Sequence, residues 1–158
     1  MVYPSNGKPS VILLAEDNLA DREIITMAFS EDAELQSRVV VKSTSDGLEV
    51  MNYLQRQGVY ANPKKSPRPD LIVLDIALPL MDGKSVLNEI KCDGDLKDIP
   101  VVMFTTSEND KDVAESYALG ANAYLTKPDE VDNFTWMIKS MCFFWLFMAK
   151  LPRNNDYE

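Results

Sequence analysis

The chain has 158 residues, 46% hydrophobic and 26% charged, which is enough for one well-buried core and short for two. Twenty-five acidic residues against 16 basic ones leave a net charge of −9, which repels a phosphate backbone and argues against a nucleic-acid partner. No apolar run reaches the roughly 18 residues of a membrane span, the N-terminus has no signal-peptide core, and histidine is absent, so the expectation is a cytoplasmic protein without histidine metal sites or Ser/His/Asp triads.

Val11 to Ala15 is a short apolar run ended by Glu16-Asp17-Asn18, and it predicts a first strand. A helix follows in which Ile24, Met27, Ala28 and Phe29 share a face. Arg38 to Lys42 predicts the second strand, and Ser45 or Asp46 caps a helix carrying Leu48, Val50, Met51 and Leu54. From about Gly58 to Asp70 the three prolines 63, 67 and 69 predict a long exposed loop, and the basic cluster Lys64, Lys65, Arg68 belongs to it.

Leu71 to Leu74 predicts a third strand and Ser85 to Lys91 a third helix, with Val86, Leu87 and Ile90 turned inward. Pro100 opens a fourth strand ending at Thr105. Ser107, followed by Asp110, resembles a helix N-cap, and Gly120 marks where a helix of Val113, Tyr117 and Leu119 stops. Ala123 to Thr126 predicts the fifth strand, and Lys127-Pro128 turns the chain into a last helix reaching about Lys150. The two cysteines, Cys92 and Cys142, fall in helical segments without metal or redox spacing and read as reduced structural thiols.

Five apolar strands alternating with five helices predict a doubly wound α/β domain, a five-stranded parallel sheet covered on both faces. In the flavodoxin-like order 2-1-3-4-5 the site lies at the carboxyl ends of the strands, where the winding reverses between strands one and three. Those ends carry Glu16, Asp17, Asp75, Thr105 and Lys127. Three converging carboxylates repel one another unless a hard cation joins them, and a site of few carboxylates with open positions suits Mg²⁺. Lys127 and the Thr105 hydroxyl would stabilise an anion built on Asp75, as a transferred phosphoryl group is.

These residues resemble the receiver domain of two-component response regulators. The shared pattern is the acidic pair Glu16-Asp17, Asp75 with Pro79 four residues on and Met81-Asp82-Gly83, then Thr105, Tyr124 and Lys127-Pro128, in order across residues 11 to 149. The stretches TTSENDKDVAESYALGANAYLTKP and FFWLFMAKLP are similar, more narrowly, to single-domain regulators paired with bacterial and cyanobacterial phytochrome histidine kinases. The resemblance implies that Asp75 accepts a phosphoryl group from a sensor histidine kinase. It implies Mg²⁺ held by Asp17, Asp75 and the backbone carbonyl of Ala77, with Glu16 acting through water. Thr105 and Tyr124 would be the switch pair and Lys127 the phosphoryl ligand. Such a protein is a phosphoacceptor, catalysing only its own phosphotransfer and dephosphorylation. Two positions depart from the family pattern: Glu16 is a methylene longer than the common aspartate, and Ala77 offers no side chain to restrain attacking water.

Alternatives remain. Glu16-Asp17 would repel the phosphate of a flavin cofactor, and Ala77 stands where a haloacid dehalogenase carries its second acid. A receiver-fold scaffold acting through dimerisation without phosphorylation stays open. Residues 1–10 are expected to be a flexible N-terminus, 11–150 the receiver domain and 151–158 a tail, with no output domain. The nine apolar residues from Met141 to Ala149 cover every side of a helix. One face, near Phe134, Ile138, Met141 and Trp145, packs on the sheet, leaving Phe143, Phe144, Phe147 or Met148 for the folded-back tail or a partner. By resemblance the partner is a second copy, a homodimer joined through the strand 4/5 and last-helix face.

Overall fold

The computed structural model describes residues 7–152; the outer parts of the expected N-terminal arm and C-terminal tail, residues 1–6 and 153–158, lie outside the described residues. Five strands form one parallel sheet: β1 (Ser10–Ala15), β2 (Val39–Thr44), β3 (Leu71–Leu74), β4 (Val101–Thr105) and β5 (Ala123–Thr126), in the order β2-β1-β3-β4-β5. The three central strands are apolar at every position except the terminal Ser10 and Thr105 because both of their faces are covered. Alternate residues serve opposite layers. Leu13, Ile72, Leu74, Val101 and Met103 join one core, while Ile12, Leu14, Val73, Val102 and Phe104 join the other. The edge strands β2 and β5 are only partly buried.

The first core is closed by α3 (Gly47–Gln55), α4 (Gly83–Cys92) and the chain after α5 (Asp110–Ala118), the second by α1 (Leu19–Glu31), α2 (Ala33–Arg38) and α6 (Val131–Cys142). Helices on both faces, with β1 and β3 adjacent, put the winding reversal between them. This is the doubly wound order expected from the sequence.

Several local expectations are corrected. The short α2 is an additional helix, started by Asp32 accepting a hydrogen bond from the Leu35 N–H. Asn109, not Ser107, caps α5, its side chain accepting from the Lys111 N–H. Met27, Leu48 and Tyr117 lie on outer faces, whereas Ile25, Tyr53 and Ser116 are buried. The proline-rich loop is anchored rather than wholly exposed: Gly58–Tyr60 forms a 3₁₀ turn, Ser66 is buried and donates to the Tyr60 carbonyl, and the Tyr53 hydroxyl donates to the Pro67 carbonyl. The last helix is α-helical only to Cys142 and then widens into a π turn, Phe143–Met148, closed by the Ala149 N–H on the Phe144 carbonyl. Trp145 packs on the core as expected. Phe147 also packs there, under the Arg38 guanidinium 4.2 Å from its ring centroid, so Phe144 and Met148 are the outward-facing pair.

Candidate functional site

Backbone ladders run one residue beyond the strands and fix the site residues by main-chain bonds. The Glu16 N–H donates to the Thr44 carbonyl, the Asp75 N–H to the Ala15 carbonyl, and the Lys127 N–H to the Thr105 carbonyl. Each polar side chain therefore leaves the sheet edge from rigid backbone. Glu16, Asp75, Thr105 and Lys127 are all buried, and Asp17 is exposed at the mouth.

Lys127 is the hub. Its ammonium donates to Asp75 Oδ2 at 2.6 Å, to Asp21 Oδ2 at 2.9 Å, and to Glu16 Oε1. Those three bonds use all three of its donors. Burial alone would lower Lys127, but Asp75, Glu16 and Asp21 together push it well above the ordinary lysine value. Burial alone would raise Asp75, yet hydrogen bonds with Glu16, Lys127 and Thr105 hold its carboxyl below the usual range. Glu16 goes the other way, pushed up to about 8 by burial and by the neighbouring Asp75 carboxylate, against the pull of Lys127. One ammonium does not balance this many buried acids, so the proton stays longest on Glu16.

That imbalance is what a divalent cation would remove. Glu16, Asp17 and Asp75 each offer a carboxylate oxygen, all within 4.8 Å of one another. Glu16 Oε2 is also the one buried side-chain polar atom without a hydrogen-bond partner among the described residues. A hard oxygen set with an orphaned buried oxygen fits a Mg²⁺-like ion. The Ala77 N–H donates to Asp75 Oδ1 at 3.2 Å and steadies the acceptor side chain.

The loop after β3 is clamped by two glycines. The Gly83 N–H bonds the Ile76 carbonyl, and a Cβ on Gly83 would lie 2.1 Å from the Asp75 carbonyl oxygen. The Gly47 N–H bonds the Pro79 carbonyl, and a Cβ there would lie 1.9 Å from the Met81 carbonyl oxygen. Between them the chain turns through Leu80 at φ 69°, with the Met81 N–H on the Pro79 carbonyl closing a tight three-residue turn of the strained positive-φ kind. On the other side of Asp75, Tyr124 is half-buried and its hydroxyl donates to the Ser107 carbonyl, in the loop that follows Thr105.

The structure thus brings Glu16, Asp17, Asp75, Thr105 and Lys127 to one edge, with Ala77 above it and Tyr124 flanking it. Asp21 is the site residue that sequence reasoning missed. It stands in the first turn of α1, four residues after Asp17, which precedes the Asn18 cap. Nothing local indicates that Lys127, 106 residues away, is its partner.

The family description "response regulator receiver domain" matches residues 12–139. The response regulator Rcp1 of the cyanobacterium Synechocystis sp. is 44% identical over 147 residues, covering 93% of this chain and 96% of that protein. The crystal structure of the phosphorylated cyanobacterial phytochrome response regulator RcpA superposes with a TM-score of 0.85 at 42% identity, covering 92% of this chain and 99% of that one. The Mn²⁺-bound form of Rcp1 superposes with a TM-score of 0.83 at 43% identity, covering 92% and 100%.

Proposed function

Because this chain belongs to the response regulator receiver family, we propose that it relays a signal by accepting a phosphoryl group on Asp75 from a sensor histidine kinase. The kinase is assigned as a phytochrome because RcpA, a cyanobacterial phytochrome response regulator, aligns over nearly its whole length. An Asp75 carboxylate oxygen attacks phosphorus in line with the phosphohistidine. A P–O bond forms, the P–N bond breaks, and the imidazole leaves with the electron pair. Asp75 suits this role because its carboxyl is held ionised.

Glu16, Asp17, Asp75 and the Ala77 carbonyl would hold Mg²⁺, which when bound neutralises charge on the phosphoryl oxygens. Lys127 already spends all three donors on carboxylates, so it binds a phosphoryl oxygen by exchanging its bond to Asp75 for one to the new group. The Thr105 hydroxyl, which reaches Asp75, follows the same group, and the Tyr124 ring settles behind it. With Ala77 in place of a polar side chain, no side chain at that position restrains the water that hydrolyses the acyl phosphate.

The partner surface for a second copy is the β4, β5 and last-helix face. Trp136, Phe144 and Met148 on the last helix and its π turn are at least half exposed, which supports that reading. A cytoplasmic location accords with no described helix being long and apolar enough to cross a membrane.

The observation that carries the proposal is the buried Asp75–Lys127 pair beside an orphaned Glu16 oxygen. Incubation with acetyl phosphate and Mg²⁺, read by intact mass, tests it. The expected result is a Mg²⁺-dependent gain of one phosphoryl group that disappears in Asp75→Asn. No gain from folded protein would overturn it and leave the dimerising scaffold.

A further inference from the structure

Outside the Asp75 site, a cluster of side-chain ion pairs bridges α4 and α5. Lys84, in the first turn of α4, donates to Asp112 Oδ1 and to Glu115 Oε2, both at 2.5 Å, across to α5. The other oxygen of Asp112, Oδ2, accepts a 2.6 Å bond from the Ser107 hydroxyl. Ser107 lies two residues after Thr105, and its carbonyl receives the Tyr124 hydroxyl at 2.9 Å. At the opposite end, Lys84 follows Gly83, whose backbone is pressed on the main chain of Asp75 and Ile76.

The five residues form one unbroken chain of contacts from the acceptor's own backbone to the switch tyrosine. Neither the carboxylates nor Lys84 belongs to the metal and phosphoryl constellation. A bland account, two surface ion pairs between neighbouring helices, does not include the part-buried Ser107 hydroxyl, which donates to Asp112 while accepting from the Asn109 N–H. The Ser107 carbonyl, on the same residue, is what the Tyr124 hydroxyl bonds.

We infer that Lys84 is a positioning residue for Tyr124: by holding Asp112, it fixes Ser107 and so keeps the Tyr124 hydroxyl bonded to the Ser107 carbonyl. The inference rests on the reading of Thr105 and Tyr124 as the switch pair. It deepens that reading by naming what sets the resting position of the ring. A contiguous network of this kind transmits a shift only if its elements have two arrangements, and Tyr124 stands on the half-buried edge strand β5. Lys84 and its acids are all partly exposed, so salt weakens the latch.

The test is ¹⁹F NMR of the full chain labelled with 3-fluorotyrosine, the Tyr124 resonance being identified by its loss in Tyr124→Phe. Wild type, Lys84→Ala, Lys84→Arg and Asp112→Asn are compared in Mg²⁺, with and without beryllofluoride as a phosphoryl mimic. The expected result without the mimic is a shifted or broadened Tyr124 resonance in Lys84→Ala and Asp112→Asn, and a wild-type resonance in Lys84→Arg. Salt at 1 M, where the Debye length is about 3 Å, moves the wild-type resonance towards that of Lys84→Ala and leaves Lys84→Ala in place. A wild-type Tyr124 resonance in Lys84→Ala, with the other tyrosine signals unmoved, overturns the latch alone. A Tyr124 resonance in the wild type that ignores beryllofluoride overturns the switch reading, and the latch with it.

Discussion

Lys127 Nζ lies 2.6 Å from Asp75 Oδ2, with only 5% and 8% of the two side chains exposed. A buried ion pair of this kind is strongly destabilising to break by removing one member, because the other charge stays buried without compensation. Lys127→Met is therefore expected to lower stability by about 3–5 kcal/mol, measured by urea unfolding in EDTA, and to abolish phosphoryl uptake. A loss below about 1 kcal/mol would mean that the pair is far more hydrated than its burial indicates.

Mg²⁺ is expected to stabilise the folded chain by relieving the repulsion among Glu16, Asp17 and Asp75. At a hundredfold excess over Kd the gain is about 2.7 kcal/mol, seen as a rise in Tm. Asp17→Asn removes an exposed ligand while leaving the Lys127 cluster intact, so it should fold normally and lose the Mg²⁺ response. An unchanged response in Asp17→Asn would remove that residue from the metal site.

Gly83→Ala places a methyl group against the backbone of Asp75 itself, 2.1 Å from its carbonyl oxygen. Overpacking against main chain that cannot yield is expected to cost about 3 kcal/mol or more. Phosphoryl uptake should fall too, since the loop over Asp75 is displaced. Gly94→Ala is the control, with nothing within 4 Å of the added methyl group, and its effect should stay within about 0.5 kcal/mol. Equal urea midpoints for the two variants would refute the clamp.

Glu49 anchors the long loop, accepting from the Ser45 N–H and hydroxyl and from the Tyr60 hydroxyl. Burial alone would raise it, but those bonds and the nearby Arg22 hold its carboxyl below the ordinary range. Its contribution to stability is therefore present above the unfolded value of about 4.3 and is lost as pH falls through the folded one. Tyr60 shows the opposite sign, pushed up to about 12 by burial and by Glu49, so its contribution is lost as pH rises from 10 to 12. Urea titrations of Glu49→Gln should show a flatter acid slope, and those of Tyr60→Phe a flatter alkaline one; parallel curves with the wild type would exclude both.

The strands and the acids at their carboxyl ends were legible in the chain because each depends on short-range chemistry, whereas the strand order came from the fold class that the alternation of strands and helices implied. An apolar run of five residues closed by Glu16-Asp17, or of four closed by Asp75, needs only to be a doubly covered strand to place its acid at the sheet edge. Helix starts were less legible where two polar residues competed. Ser107 and Asn109 both suit a cap, and Ser107 was drawn away by Asp112 on the next turn. Met27 looked apolar enough for the inner face of α1, yet the turn begun at Asn18 gave that face to Ile25, Ala28 and Phe29.

By itself the sequence determined that the chain builds a doubly wound sheet with Glu16, Asp17, Asp75, Thr105 and Lys127 along one edge, and that Asp75 stands among groups suited to a phosphoryl anion. Tertiary structure alone decided which charges meet: that Lys127 spends its donors on Glu16, Asp21 and Asp75, that Glu16 keeps an unpartnered oxygen, and that Lys84 reaches Asp112 and Glu115. The physical reason is range. Strand and turn preferences act within a few residues, whereas side-chain pairing across a sheet or between helices depends on how the layers pack, and that is fixed only when the two cores close.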